Sequence, residues 1–98
     1  MSERDDEEVQ AMIAAKRRQK AVLAEVAAER HRQDEKWGEQ NHDAGKWMLI
    51  LAEEVGEAAK AALEGDVAQE RAEYVQVAAV AVARIECIDR RGAAKERP

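Results

Sequence analysis

Large aromatic side chains are scarce in this sequence, which has no Phe, one Tyr and two Trp among its 98 residues. The core must therefore be built from Ala, Val, Leu and Ile, each of which fills little volume. A chain this short forms one domain near the lower size limit for a stable core. Sharing a core with a second copy would add stability, so we expect a homo-oligomer.

Other features are missing as well, and each absence excludes a class of protein. Cys87 is the only cysteine, so there is no disulfide framework and a reducing compartment is expected. No apolar run approaches the roughly 18 residues of a membrane span, and the N-terminus is highly charged. A formal charge of −5 argues against binding to the phosphate backbone of nucleic-acid polymers. We therefore expect a cytoplasmic protein that binds neither membranes nor nucleic-acid polymers.

Apolar residues recur at helical spacing in three segments, which predicts an all-α fold. The first predicted helix runs from Val9 to about Gln33, and residues 1–8 are expected to fray. Its middle, Ala14–Ala21, has the weakest pattern, and a break is possible there. This part carries a basic cluster that we interpret as a solvated helix face rather than a site for acidic partners. The cluster consists of Lys16, Arg17, Arg18 and Lys20.

Two further helices are predicted in the second half of the chain. One runs from about Lys46 to Leu63 and is ended by Gly65. Asp66, with Gln69 three residues later, is a capping-box variant that would begin a third helix at 67 and extend it to about residue 91. This third helix is apolar nearly all round in its middle, which predicts burial against its neighbour and against a partner subunit. Gly92 is expected to end it, leaving a loose tail over residues 93–98.

Three carboxylates lie close together on the second predicted helix. At about 100° per residue, Glu53 and Glu57 are about 40° apart around the helix axis, with Glu54 about 60° beyond Glu57. Such acids repel one another unless a cation lies between them, and oxygen-only ligands suit Mg²⁺ or Mn²⁺. The alternative is a solvated acidic face, partly offset by Lys60 one turn after Glu57. Apolar residues line the other side of this helix: Trp47, Met48, Leu51, Val55, Ala58 and Ala62.

The short connection between the second and third helices predicts an antiparallel hairpin. Counting outward from it at an equal rise per residue, Glu57 is level with about position 74. Glu73 and Gln76, one turn apart on one face, would then lie opposite the three acids. Glu86 would lie about 20 Å further along the third helix, too far to join them, and is expected to solvate the surface.

The segment from Lys36 to Lys46 is the longest stretch without helical periodicity, and it combines a Trp with polar side chains. Trp37 is suited to stacking on a nucleobase, while Gln40, Asn41 and His42 can supply hydrogen bonds. The alternative is that Trp37 packs onto the helix ends and that His42 and Asp43 make local turn or N-cap bonds.

Together these residues form a pattern that resembles the MazG-like all-alpha nucleoside triphosphate pyrophosphohydrolases. The pattern of that family is a W-x-x-Q-x-H loop, a helix with E-E-x-x-E and a second helix with E-x-x-D. In this chain the three motifs read Trp37-x-x-Gln40-x-His42, Glu53-Glu54-x-x-Glu57 and Glu73-x-x-Gln76. The resemblance covers about residues 30–91. It divides the chain into an N-terminal helical extension (1–29), a MazG-like core (30–92) and a flexible tail (93–98).

The resemblance implies Mg²⁺-dependent cleavage between the alpha and beta phosphates of a nucleoside triphosphate, which gives the monophosphate and pyrophosphate. Members are usually described as nucleotide-pool housekeepers that assemble as dimers or dimers of dimers. Either Glu53 or Glu54 would orient or deprotonate the attacking water. The implied metal ligands are Glu53, Glu54, Glu57, Glu73 and Gln76.

The resemblance also suggests which residues contact the substrate. Trp37, Gln40 and His42 would contact the base and sugar. Any of three lysines can contact phosphate oxygens as a point charge, and the sequence does not choose among Lys36, Lys46 and Lys60.

Gln76 departs from the family pattern, which has Asp at this position. Its amide oxygen can still coordinate Mg²⁺ but contributes no charge. The alternative function is therefore a catalytically silent helical dimer that binds a nucleotide or a protein partner.

Overall fold

The computed structural model describes residues 2–96, and these form three α-helices. They are α1 (Glu3–Trp37), α2 (Ala44–Leu63) and α3 (Val67–Glu96). Within residues 2–96 there is no strand, so the prediction of an all-α fold is confirmed. None of these helices combines the length and the apolar character that crossing a membrane would require.

The first helix is longer and more regular than predicted. It begins at Glu3, where the Ser2 hydroxyl caps the helix by accepting a hydrogen bond from the backbone N of Asp5 at 3.3 Å. Acidic residues in its first turn interact favourably with the helix dipole. The helix is also unbroken across residues 14–21. The predicted start at Val9 and the possible break were therefore wrong, and residues 3–8 of the segment expected to fray are helical, while Met1 lies outside the described residues.

A short connection of residues 38–43 joins α1 to α2. Gly38 ends α1 with a φ of 73°, a conformation that side chains disfavour, and its N–H donates to the Asp34 carbonyl at 2.8 Å. The Asp43 carboxylate accepts a hydrogen bond from the backbone N of Lys46 at 2.8 Å, so α2 begins at Ala44 rather than Lys46. Asp43 is therefore the N-cap of α2, as the alternative interpretation of this loop predicted.

Arginines near the end of α3 hold the same connection in place. The Arg90 guanidinium donates to the carbonyl of Gln40 at 3.1 Å and to the side-chain oxygen of Asn41 at 3.0 Å. Arg91 donates to the Asn41 carbonyl at 3.3 Å. The loop is therefore anchored to a helix that lies far from it in sequence.

The turn between α2 and α3 follows the predicted capping chemistry. Gly65 has a φ of 74°, and the N–H groups of Gly65 and Asp66 donate to the carbonyls of Ala62 and Ala61 at 3.2 and 3.0 Å. These two bonds form a Schellman motif. The Asp66 carboxylate then accepts a hydrogen bond from the backbone N of Gln69 at 3.0 Å and begins α3. Both Gly65 as terminator and Asp66 as N-cap are confirmed.

The third helix packs against both other helices. Trp47, near the start of α2, is buried against Val80, Ala83 and Cys87 in the second half of α3. Small side chains are buried along the same two helices, and they let the backbones approach closely. They are Ala58, Ala61, Ala79 and Ala83.

Two ion pairs connect α1 to α3. Arg30 donates through Nε to Glu86 at 2.8 Å, and Arg71 donates through Nη1 to Glu25 at 3.0 Å. The Arg30 side chain is 12% exposed, so this pair is shielded from water more than an ordinary surface pair. The expectation that Glu86 only solvates the surface was wrong, because α1 packs beside it.

The third helix runs through Gly92 to Glu96. The predicted end at Gly92 was therefore wrong, and residues 93–96 of the predicted tail are helical. One glycine inside a helix costs only about 1 kcal/mol relative to Ala, which does not suffice to stop it. Residues 97 and 98 of that tail lie outside the described part of the chain.

We expect Asp66→Ala to destabilise the protein by about 1 kcal/mol, because the N-terminus of α3 loses its capping carboxylate. Asp66→Asn should stay within a few tenths of a kcal/mol of the wild type, since Asn caps helices about as well. Urea unfolding followed by circular dichroism measures both values. Equal stability of the Ala and Asn variants would show that the cap contributes nothing.

Candidate functional site

Three glutamates from two helices converge at one place on the surface. Carboxylate oxygens of Glu54, Glu57 and Glu73 lie within 4.8 Å of one another. Glu54 and Glu57 are one turn apart on α2, and Glu73 comes from the first part of α3. Glu54 and Glu73 are half-buried, while Glu57 is exposed. The structure therefore brings together three of the five predicted metal ligands.

The electrostatics of this cluster show that its charges are mutually unfavourable. Burial, followed by the charge of Glu57 and the hydrogen bond with Glu73, raises the pKa of Glu54 to about 7. The pKa of Glu57 is also raised, chiefly by its hydrogen bond with Glu73 and by the charge of that residue. Without a counter-charge, the cluster therefore retains a proton at a pH where isolated glutamates are ionised.

One oxygen of Glu73 lacks a permanent donor. Its Oε1 accepts a hydrogen bond from Gln69 at 2.8 Å, whereas the buried Oε2 receives none from an N–H group or a hydroxyl of the described residues. An unsatisfied buried oxygen is costly, and a cation would satisfy it. Lys60 does not supply this charge, because no described ion pair joins it to the acids. The oxygen-only donor set and the unpartnered oxygen both fit a hard divalent cation such as Mg²⁺.

The other two predicted ligands lie outside this cluster. Glu53 is exposed, and its charge contributes to the raised pKa values of Glu54 and Glu57. Gln76 is half-buried and lines a cavity together with Glu29 of α1. Burial opposes ionisation of Glu29, but the polar side chains of Gln76 and Arg32 outweigh it and lower the pKa of Glu29.

A cavity of about 200 Å³ lies next to the cluster, since Glu54 forms part of its wall. Its lining combines two indole rings with amide side chains. Besides Glu54, the residues that line it are Gln33, Trp37, Gln40, Trp47, Ile50, Gln76, Val80 and Ala83. A neighbouring cavity of about 320 Å³ shares Gln33, Gln40 and Trp47 with it and reaches Arg30 and Arg90. The arrangement has an acidic end suited to a cation and an aromatic, amide-lined end suited to a flat polar ring.

The predicted substrate-contacting residues divide into two groups. Trp37, whose side chain is 57% exposed, and Gln40 both line the cavity beside Glu54. His42 does not line it but packs edge-on against Trp47, with ring centroids 5.1 Å apart. The remaining candidates are lysines outside the cavity lining.

Those lysines occupy different surroundings. The Lys36 ammonium lies 4.7 Å from the centroid of the Trp37 ring, a cation–π contact at the edge of the cavity. Lys46 and Lys60 are exposed and belong to no described cavity wall.

Sequence reasoning missed the contribution of α1 to this region. Glu29, Gln33 and Trp37 are spaced by four residues and so fall on one helix face, a signal that was present in the sequence. It also missed that Trp47, only 3% exposed, buries its indole Nε1 with no hydrogen-bond partner among the described residues, at the wall shared by both cavities.

Comparison with known proteins gives no match, whether the chain is compared with family models, with curated proteins or with solved structures.

We expect the metal-free protein to lose stability relative to a Glu54→Gln variant as the pH rises from 5 to about 8. The folded-state pKa of Glu54 is about 7, above its ordinary 4.5, so the folded state holds this proton more tightly than the unfolded state. Its contribution to folding is fully present below 4.5 and is lost as the pH rises through 7.

Urea unfolding in chelator at several pH values measures this difference. Taking the difference cancels the opposite trends of Glu25 and Glu29, whose pKa values are lowered. Glu64→Gln, an exposed change at the end of α2, is the control and should follow the wild type. If the free energy of unfolding changes equally with pH in the wild type and in Glu54→Gln, the claim that the environment of Glu54 disfavours its ionised form is contradicted.

We expect Mg²⁺ or Mn²⁺ to raise the unfolding temperature of the wild type, because a ligand that binds only the folded state stabilises it by mass action. At about 100 times the dissociation constant the gain is about 2.7 kcal/mol. Glu73→Gln and Glu57→Gln should remove most of the gain, whereas Glu64→Gln should retain it. If millimolar Mg²⁺ and Mn²⁺ leave the unfolding temperature unchanged, the cluster binds neither cation.

Proposed function

We propose that the protein is a metal-dependent nucleoside triphosphate pyrophosphohydrolase, which cleaves between the alpha and beta phosphates and serves in nucleotide-pool housekeeping. The observation that carries the proposal is the convergence of Glu54, Glu57 and Glu73 beside a cavity lined by two tryptophans and several amides. The resemblance of the three motifs to MazG-like enzymes supports the same reaction. A lone buried thiol and a nucleotide substrate both suit a cytoplasmic location.

Glu54, Glu57 and Glu73 would hold Mg²⁺, or Mn²⁺ in its place, with Glu53 and Gln76 as the further predicted ligands. When bound, the ion would neutralise charge on the triphosphate and on the departing pyrophosphate. Because Glu54 lines the cavity, a nucleotide bound there would direct its phosphates toward this cluster.

The attacking water needs a group that accepts its proton, and Glu53 or Glu54 fills this role. Oxygen of the water forms the new bond to the alpha phosphorus, and the bond to the bridging oxygen breaks. The carboxylate takes the proton from the water, and pyrophosphate leaves with the electron pair of the broken bond. Glu53 lies outside the cluster of three acids, which leaves its carboxylate available for the water.

The aromatic end of the cavity would bind the base and sugar. Trp37 offers an exposed ring face for stacking, and Gln40 offers an amide that can donate to and accept from a base edge. His42 would act mainly by holding Trp47 in place, given the edge-on contact between the two rings. Lys36, at the rim, and Lys60, on α2, are the candidate phosphate contacts.

We further propose that α2 and α3 form an antiparallel hairpin whose free side pairs with a second copy. Trp47 contacts α3 far from the connection, and Glu57 meets Glu73 close to it, as this arrangement requires. Large apolar side chains remain exposed on these helices, including Met48 at 62% and Ile85 at 56%. A homodimer or dimer of dimers would bury them around the core of residues 30–92.

The alternative is a catalytically silent dimer that binds a nucleotide or a protein partner. Its specific support is Gln76, which carries no charge and lines a cavity with Glu29 of α1. Such a protein would retain the cavity and the assembly but would not turn over.

We expect pyrophosphate release from some member of a panel of ribo- and deoxyribonucleoside triphosphates, with Mg²⁺ or Mn²⁺ present and none in chelator. Glu54→Gln should lower the rate by about 10²-fold or more, because it removes a charge from the site and a possible base. Glu64→Gln should keep the wild-type rate. Glu53→Gln assigns the proton acceptor. If Glu53 is the base, this variant loses kcat while the metal-dependent rise in unfolding temperature persists, whereas a retained kcat assigns the role to Glu54.

If the protein has the helical content of the fold but releases pyrophosphate from none of the nucleotides, the catalytically silent binder is favoured. The next variant is then Gln76→Asp, which restores the family pattern. If Gln76→Asp releases pyrophosphate, the inactivity of the wild type is due to the Gln at this position.

A further inference from the structure

The first part of α1 has no partner within the described chain. Every residue from 2 to 25 is exposed, and Glu25 is the first described residue of the helix to bond to another helix, through Arg71. Residues 3–21 alone extend about 28 Å at 1.5 Å per residue. Isolated helices of this length are only marginally stable in water, so this segment gains from a surface that covers it.

The segment carries an apolar stripe. Val9, Met12 and Ile13 lie within about 100° of one another around the helix axis. Their exposed fractions are 43%, 57% and 36%. Lys16 and Lys20 fall on the same face, where the carbon chains of lysines can extend the apolar surface. This face is suited to packing against another helix.

Its charges are divided into two blocks of opposite sign. The acidic block is Asp5, Asp6, Glu7 and Glu8, and the basic block is Lys16, Arg17, Arg18 and Lys20. Their midpoint falls near Met12, in the middle of the apolar stripe. The segment is therefore complementary to a copy of itself running in the opposite direction, whereas a parallel copy would place acid beside acid.

We propose that residues 3–21 of α1 pair antiparallel with the same residues of a second copy, about a two-fold axis near Met12. In this register Glu8 is level with Lys16, Glu7 with Arg17, and Asp6 with Arg18 of the partner, whereas Arg4 is level with Lys20. Glu7 and Arg18 lie on the side of the helix away from the stripe, so they contribute only through the overall charge of their blocks. The contact is isologous, so each copy contributes both its acidic and its basic block.

Other occupants fit these charges less well. A nucleic acid or an anionic membrane would be attracted by the basic block and repelled by the acidic block immediately before it. The pairing uses none of the residues of the proposed active site, and it is separate from any interface on α2 and α3. It therefore stands or fails independently of the proposed function.

Disulfide formation in the full chain tests the register. Met12→Cys places a thiol at the proposed two-fold axis, and Ala14→Cys places one about 200° around the helix as the matched control. Cys87 is buried in the core and is unchanged in both proteins. Under mild oxidation Met12→Cys should form linked dimers at least about tenfold faster, because pairing raises the effective thiol concentration. Equal rates for the two variants would overturn the pairing.

Charge reversal tests the complementarity. In the Met12→Cys background, one variant carries Lys16→Glu, Arg17→Glu and Arg18→Glu, and the other carries Asp6→Lys, Glu7→Lys and Glu8→Lys. Each of these two variants alone should form linked dimers no faster than Ala14→Cys. An equal mixture of the two should regain the linking rate of Met12→Cys, because their segments are complementary to each other. Circular dichroism establishes that both variants are helical, and a mixture of helical variants that fails to regain the rate overturns the proposal.

Salt provides a measurement that needs no charge variant. The linking rate of Met12→Cys should fall several-fold between about 50 mM and about 500 mM salt, because exposed ion pairs are screened. A rate that does not change with salt would show that the two charge blocks do not direct the pairing, and would overturn the register proposed from them.

Discussion

The close packing of α2 on α3 is the constraint on which the rest of the structure depends. Small buried residues, among them Ala58, Ala61 and Ala79, let the two helices approach closely, and Trp47 fills the space further along against Ala83 and Cys87. This contact holds Glu54 and Glu57 against Glu73, and it also positions the indole that lines both cavities. A core made of small side chains thus allows acids on neighbouring helices to meet.

The acidic cluster has a cost in stability, and this cost is informative about function. Raised pKa values at Glu54 and Glu57 and an unpartnered oxygen on Glu73 show that the folded chain holds charges that repel one another. Packing alone does not require such an arrangement, since Gln or Ala would fill the same places. Groups held in an unfavourable state next to a cavity are typical of a site that binds a cation or catalyses a reaction.

The two ends of α1 have different surroundings. From Glu25 onward, α1 is attached to α3 through the pairs Glu25–Arg71 and Arg30–Glu86, and it supplies Gln33 and Trp37 to the cavity wall. Before Glu25 its side chains are exposed, with charge in two blocks around an apolar centre. One continuous helix therefore joins the candidate site to a segment suited to contact with another molecule, although the sequence pattern had separated an extension from a core near residue 30.

Local chemistry allowed the sequence alone to determine much of this protein. Helical spacing, Gly65 as a terminator and the Asp66 cap depend on neighbours within a few residues, and all three agree with the structure. The acids of α2 and the position of Glu73 also followed from helix geometry. Tertiary structure decided what depends on distant residues. Examples are the position of Gln76 next to Glu29, the pairing of Glu86, the position of Glu53 outside the cluster and the cavity shared by α1, α2 and α3. These contacts depend on how the helices pack, and packing is set by side chains far apart in the sequence.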